Sequence, residues 1–169
     1  MHVPLVISNH YDLEAECKSF DVPFKCVQLD KSNKHKGEEI ILDLLNQHQI
    51  ELGVLAKYMQ ILSSSFLDNF SSLINIHHSF LPAFKGAQPY HQAWDRGVKL
   101  IGATAHYVTE DLDAGPIIEQ TIATVSHRDE VDDLVRKGRD TERIALARAL
   151  RLHLRREVIV YRGRTAVFK

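Results

Sequence analysis

Short apolar runs alternate along this chain with segments whose apolar residues recur at helical spacing, and that alternation restricts the fold more than any other feature. Strands separated by helices pair through crossover connections, so the expected class is α/β with a mostly parallel sheet between helical layers. Strands are expected at Val3–Ser8, Phe24–Gln28, Leu52–Ala56 and Leu73–His77, with Leu100–Tyr107 and Ile117–Val125 as a pair. Helices are expected at Leu13–Phe20, at Gly37–His48, around Ser65–Phe70 and at His91–Arg96. In the second of these, Ile40, Ile41, Leu44 and Leu45 share one face. A long helix runs from Asp129 to about Arg156, with Gly138 as its breaking point, and Val158–Tyr161 and Thr165–Phe168 close the chain as a hairpin turning at Arg162–Arg164. Between Ser79 and Tyr90 the residues Pro82, Gly86 and Pro89 demand a structured loop.

Composition removes several function classes. At 169 residues and 19.3 kDa the chain has the size of one domain, spanning 1–169. Its formal charge of −1 excludes nucleic-acid binding by bulk electrostatics. No apolar run approaches the ~20 residues of a membrane span, and Met1 is not followed by a basic stretch and an apolar core, so a cytoplasmic location is expected. Cys17 and Cys26 have no metal-like spacing and read as reduced thiols. Only 8 glycines are present and no GxGxxG or GxxxxGK turn occurs, which argues against a nucleotide cofactor.

Three features converge between residues 75 and 115. Strand alternation sends Asn75 and His77 to one face at the carboxyl end of Leu73–His77, where open α/β sheets bind ligands. A core histidine beside a turn-forming asparagine is the alternative. The acidic turn Glu110-Asp111-Leu112-Asp113-Ala114-Gly115-Pro116 joins two strands; it is either a solvated loop or the source of a carboxylate that folds back onto an imidazole. Such pairing is expected to raise the histidine pKa and fix its tautomer. The stretch from Ser79 to Gly86 is too apolar and too long for a plain surface link and reads as a binding loop. His77, His78 and Asp113 have the composition of a metal site, but adjacent histidines on a strand point to opposite faces, so no metal is expected.

Asn75-Ile76-His77, Ser79-Phe80-Leu81-Pro82, Phe84-Lys85-Gly86 and Asp111-Leu112-Asp113-Ala114-Gly115 resemble, in order and spacing, the motif of the folate-dependent formyltransferase family. The doubled histidine at 77–78, the run Gln88-Pro89-Tyr90-His91-Gln92-Ala93 and the segment from Arg96 to Tyr107 are similar to the formyltetrahydrofolate deformylase branch. So is the tail that includes Gly138-Arg139-Asp140, Glu142-Arg143 and His153-Leu154. The likeness covers essentially the whole chain, from Val3 to Phe168.

The resemblance implies a Rossmann-like, three-layer α/β/α fold of the formyltransferase type. It implies hydrolysis of 10-formyltetrahydrofolate to formate, for purine biosynthesis, and tetrahydrofolate. Phosphoribosylglycinamide formyl transfer, or folate binding without catalysis, are the alternatives; a methionyl-tRNA formyltransferase is disfavoured by the neutral charge. Carried over residue by residue, the catalytic trio falls on Asn75, His77 and Asp113. The folate pocket falls on Tyr58, Met59, Gln60, Ile61 and Leu62, with Val108, Thr109, Glu110 and Asp111 opposite; Thr104 and His106 point to one strand face and line the same cleft. No tightly bound cofactor is implied. The expected partners are the folate substrate and further copies of the same chain, with neither nucleic acid nor membrane. The resemblance implies that relatives begin with a regulatory domain and a first strand–helix unit, neither of which is expected in this chain. Two strand edges, at Val3–Ser8 and Leu52–Ala56, are therefore expected to close up or to take a strand from another chain.

Overall fold

A computed structural model describes residues 2–29, 33–79 and 89–168. The chain forms two compact units, one of Met1–Gly53 and Ile61–Ser71, the other of Val54–Gln60 and Ser72–Lys169. The loop motif from Phe80 to Gln88 lies outside the described residues.

In the first unit, β1 (Val6–Ser8) and β2 (Phe24–Cys26) pair in parallel around α1 (Glu14–Ser19). They form a sheet of their own. The helix α2 (Lys34–Gln47) packs near α3 (Ser64–Asn69). Glu38, buried in the first turns of α2, accepts the Ser63 backbone N–H at 3.0 Å and the Ser63 hydroxyl at 2.5 Å. Ser63 in turn caps α3 by accepting the Phe66 N–H at 3.1 Å. One carboxylate thereby anchors the start of a second helix.

The second unit is built on the strand order β3 (Gly53–Ala56), β4 (Leu73–His77), β5 (Leu100–Tyr107), β6 (Ile117–Thr124). β4, β5 and β6 pair antiparallel. The helix α4 (Pro89–Asp95) opens on a proline, which suits a first helical position because its missing N–H has no partner to lose. A hairpin of β7 (Val158–Tyr161) and β8 (Arg164–Val167) follows, as expected.

The helix α5 (Val131–Leu154) begins with a capping box between Glu130 and Asp133 and carries Arg151 and His153 in its last turn, matching the helix dipole at both ends. It does not break at Gly138. Its buried stripe of Leu134, Gly138, Thr141, Ala145, Ala149 and Leu152 faces the sheet, and Gly138 is required there because a Cβ would collide with the Tyr90 ring. Ile101 packs with Leu134, and the Tyr107 hydroxyl meets His153 Nδ1 at 2.8 Å. The odd-numbered face of β5 therefore lies under α5, which leaves Thr104 and His106 on the opposite face. Among the described residues no helix is long and apolar enough to cross a membrane.

Candidate active site

Register places four chemically active side chains in one patch. On the antiparallel β4–β5 ladder Asn75 lies opposite His106, and His77 lies opposite Thr104. Directly opposed residues project to the same face, so the alternation that pairs Asn75 with His77 also brings in the two β5 side chains. The β5–β6 register shifts between Ala105 and His106, a bulge that re-aims the strand at this point.

Asp113 comes to the patch from the β5–β6 turn. Its φ of 54° lies in the left-handed region, which aspartate tolerates better than most residues. Gly115 keeps the turn folded against the end of β5: a Cβ there would collide with the Tyr107 carbonyl, and the Tyr107 N–H donates to the Pro116 carbonyl at 3.0 Å. The Asp113 carboxylate reaches His77 Nδ1 at 3.2 Å through Oδ2. Through Oδ1 it accepts from the Asn75 amide at 3.4 Å and stands 3.6 Å from His106 Nε2. The acidic turn is thus a source of a folded-back carboxylate, not a solvated loop.

Partners assign the tautomers. His106 Nδ1 lies 2.8 Å from its neighbour's carbonyl, the Tyr107 oxygen, so Nδ1 carries the proton and Nε2 accepts. The Asn75 NH₂ stands 3.3 Å from that Nε2, and both of its neighbours, Nε2 and the carboxylate, are acceptors, which orients the amide. His77 donates Nδ1–H to Asp113. Its Nε2 is then a bare lone pair, buried and without a hydrogen-bond partner among the described residues.

The expected direction of the His77 pKa is corrected by this geometry. Pairing with Asp113 does favour the imidazolium, but burial penalises the charge more strongly, and His78 and His106 add to that penalty. The net pKa lies below the ordinary histidine value, so the imidazole is neutral at pH 7. A neutral imidazole, held by a carboxylate on one nitrogen and open on the other, is a proton acceptor ready for use.

A second correction concerns His78. The two histidine rings stack with centroids 4.8 Å apart and an interplanar angle of 21°, so they do not point to opposite faces. β4 ends at His77, and the alternation ends with it.

The remaining positions fall as follows. Thr104 is fully buried; its hydroxyl donates to the Ser79 carbonyl at 2.9 Å and accepts from Gln120 Nε2 at 3.0 Å, tying the segment after β4 to β5 and β6. Val108 is half-buried and donates its N–H to the Leu73 carbonyl at 3.0 Å. Thr109, Glu110 and Asp111 are exposed, and the Thr109 hydroxyl donates to the Asp111 carbonyl at 3.2 Å. Tyr58 and Gln60 are half-buried, whereas Met59 is 85% exposed. Ile61 and Leu62 belong to the first unit, Ile61 exposed and Leu62 in its core.

A profile of the formyl transferase family matches residues 1–150, most of the chain. The chain belongs to the formyl transferase family. It is 60% identical over 166 residues to a formyltetrahydrofolate deformylase of Synechocystis sp., covering 98% of this chain and 58% of that protein. The crystal structure of a formyltetrahydrofolate deformylase from Pseudomonas syringae pv. tomato matches with a TM-score of 0.92 at 51% identity, over 99% of this chain and 56% of that one. A phosphoribosylglycinamide formyltransferase from Anaplasma phagocytophilum matches with a TM-score of 0.89 at 31% identity, over 99% of this chain and 82% of that one. The chain spans somewhat over half the length of the deformylases it matches. The α/β fold is therefore the formyltransferase type expected from the sequence.

Proposed function

We propose that residues 1–169 act as one catalytic domain that hydrolyses 10-formyltetrahydrofolate to formate and tetrahydrofolate, with folate as the small-molecule partner. The observation that carries this reading is the His77 ring, bound through Nδ1 to Asp113 at 3.2 Å with Nε2 buried and without a partner among the described residues. A water at Nε2 gives its proton to His77 as its oxygen bonds to the formyl carbon. The carbonyl electron pair moves to oxygen, and the Asn75 amide donates to that oxyanion by giving up its long 3.4 Å bond to Asp113. Such a donor contributes ~3–4 kcal/mol in related sites. When the intermediate collapses, His77 returns the proton to N10 as the C–N bond breaks, and the formic acid released loses its remaining acidic proton to solvent as formate. Asp113 stabilises the imidazolium formed between the two transfers.

The folate-binding roles of Tyr58, Met59, Gln60, Ile61, Leu62, Val108, Thr109, Glu110 and Asp111 belong to the same proposal. An exposed thioether at Met59 is available to a flat heterocycle, as a buried one would not be. The test is formate release from 10-formyltetrahydrofolate with water as the only acceptor. Release confirms hydrolysis. Turnover that appears only on adding glycinamide ribonucleotide assigns the chain to formyl transfer instead.

A further inference from the structure

His78 takes no part in the proton transfers above, yet it is the aromatic neighbour of the residue that does. Its ring lies 4.8 Å from the His77 centroid, nearly parallel to it. It also meets Tyr90 of α4, with centroids 6.5 Å apart and a tilt of 52°. Tyr90 is itself fixed. Its ring packs against the core of Ala93, Ile101 and Leu134 and over Gly138 of α5, and its hydroxyl donates to Glu142 at 3.1 Å. A continuous line of packed rings therefore runs from the core beneath α5 to the His77 imidazole.

We propose that His78 is a positioning residue: stacked on His77 and backed by Tyr90, its ring fixes the plane of the His77 imidazole on Asp113. This rests on the proton-transfer role given to His77 above. Asp113 restrains only one nitrogen of that ring and leaves it free to swing about the Nδ1–Oδ2 contact. A stacked aromatic face removes that freedom at little entropic cost, because a histidine ring has only two side-chain torsions to order.

Stacking two imidazoles also couples their charges, since one imidazolium opposes the other at this separation. Among the described residues the groups facing His77 are Asp113 from the β5–β6 turn, His106 from β5 and His78 beyond β4. Those facing His78 among the described residues are His77 and Tyr90, with Glu142 and Arg139 of α5 behind Tyr90.

The experiment follows the His77 ring nitrogens by NMR across pH, with kcat and KM for 10-formyltetrahydrofolate, in the unaltered chain and in His78→Phe and His78→Ala. In His78→Ala, kcat is expected to fall about tenfold or more with KM within about twofold. The His77 titration midpoint moves up, and Nδ1–H ceases to be the sole tautomer. In His78→Phe, which keeps the aromatic face, that tautomer persists and kcat stays within about threefold. Should His78→Ala fail to fold, His78→Gln replaces it with the same expectation. A His77 titration and tautomer unchanged in the ring-less variant would overturn the proposal, as would His78→Phe losing as much kcat as His78→Ala. If the unaltered chain releases no formate, the hydrolytic reading fails, while the nitrogen signals still decide whether His78 orders His77.

Discussion

His77 and Asp113 are in contact at 3.2 Å, and yet the imidazole is harder to protonate than a free histidine. Burial outweighs the carboxylate. The pair thus combines a fixed tautomer with a lone pair that protons leave free at pH 7, the two properties a general base needs.

Replacing Asp113 by Asn tests that division of roles. An asparagine amide can turn its NH₂ toward Nδ1, which would move the imidazole proton to Nε2 and cap the lone pair. Turnover is expected to fall by about 10³-fold or more, with folate affinity nearly unchanged. Steady-state kinetics beside equilibrium folate binding measure the two effects separately. Comparable losses of both would show that Asp113 shapes the pocket instead.

The low His77 pKa has consequences for rate and stability. The acid limb of kcat/KM is expected below pH 6.5, the ordinary histidine value, with the rate level through pH 7. A histidine whose folded pKa lies below its unfolded value binds a proton more readily in the unfolded chain. Stability is therefore full above about 6.5 and declines as pH falls from there toward the folded value. His153, whose pKa burial also lowers, adds a contribution of the same sign. Urea midpoints at pH 7.5 and 5.5 should show the decline, and His77→Gln should shrink it. Equal midpoints in the unaltered chain would contradict this account.

Much of the site could be read from the chain because its determinants are local. Period-two alternation places Asn75 and His77 together, and the turn composition of 110–116 marks where a carboxylate can return. Alternation also gives the face of His106, but its contact with Asn75 depends on the β4–β5 register, which no single strand encodes. The direction of the His77 pKa is hidden for a related reason: the Asp113 charge is visible in sequence, whereas the desolvation that overrides it comes from packing. The position of His78 is not legible, because strand alternation ends with β4 at His77. Gly138 looks like a helix break in sequence because a glycine's local cost is evident there and its tertiary reason, the Tyr90 ring, is not.

Gly138 and Gly37 make a controlled pair for that last point. Both lie in helices, where alanine is favoured by ~1 kcal/mol. At Gly138 the new methyl meets a Tyr90 ring wedged between two helices, so Gly138→Ala is expected to cost about 1–3 kcal/mol net. At Gly37 the obstacle is the end of the Leu29 side chain, which can rotate away, and Gly37→Ala should fall within about 1 kcal/mol of neutral. Chemical denaturation of the two variants compares them directly. A stabilised Gly138→Ala would mean that Tyr90 yields at little cost, and the support it gives to His78 would be weaker than the packing indicates.

Glu38 is the counterpart in the first unit, a buried carboxylate with a structural task. Its two oxygens take both protons that Ser63 offers, the N–H at 3.0 Å and the hydroxyl at 2.5 Å, while the same hydroxyl oxygen caps α3. Lys34 Nζ stands 3.9 Å away, too far for a hydrogen bond and too exposed to contribute much as an ion pair. Removing the acceptor leaves the Ser63 N–H without its partner and lets the capping hydroxyl rotate. Glu38→Ala is therefore expected to lower stability by about 2–3 kcal/mol, and Glu38→Gln, which retains one acceptor oxygen, by about half as much. Denaturation midpoints rank the two variants. If Glu38→Ala lost less than Glu38→Gln, the oxygen that glutamine retains would not be serving as the acceptor, and a buried amide NH₂ facing the Ser63 donors would cost more than the hydrogen bonds that alanine removes.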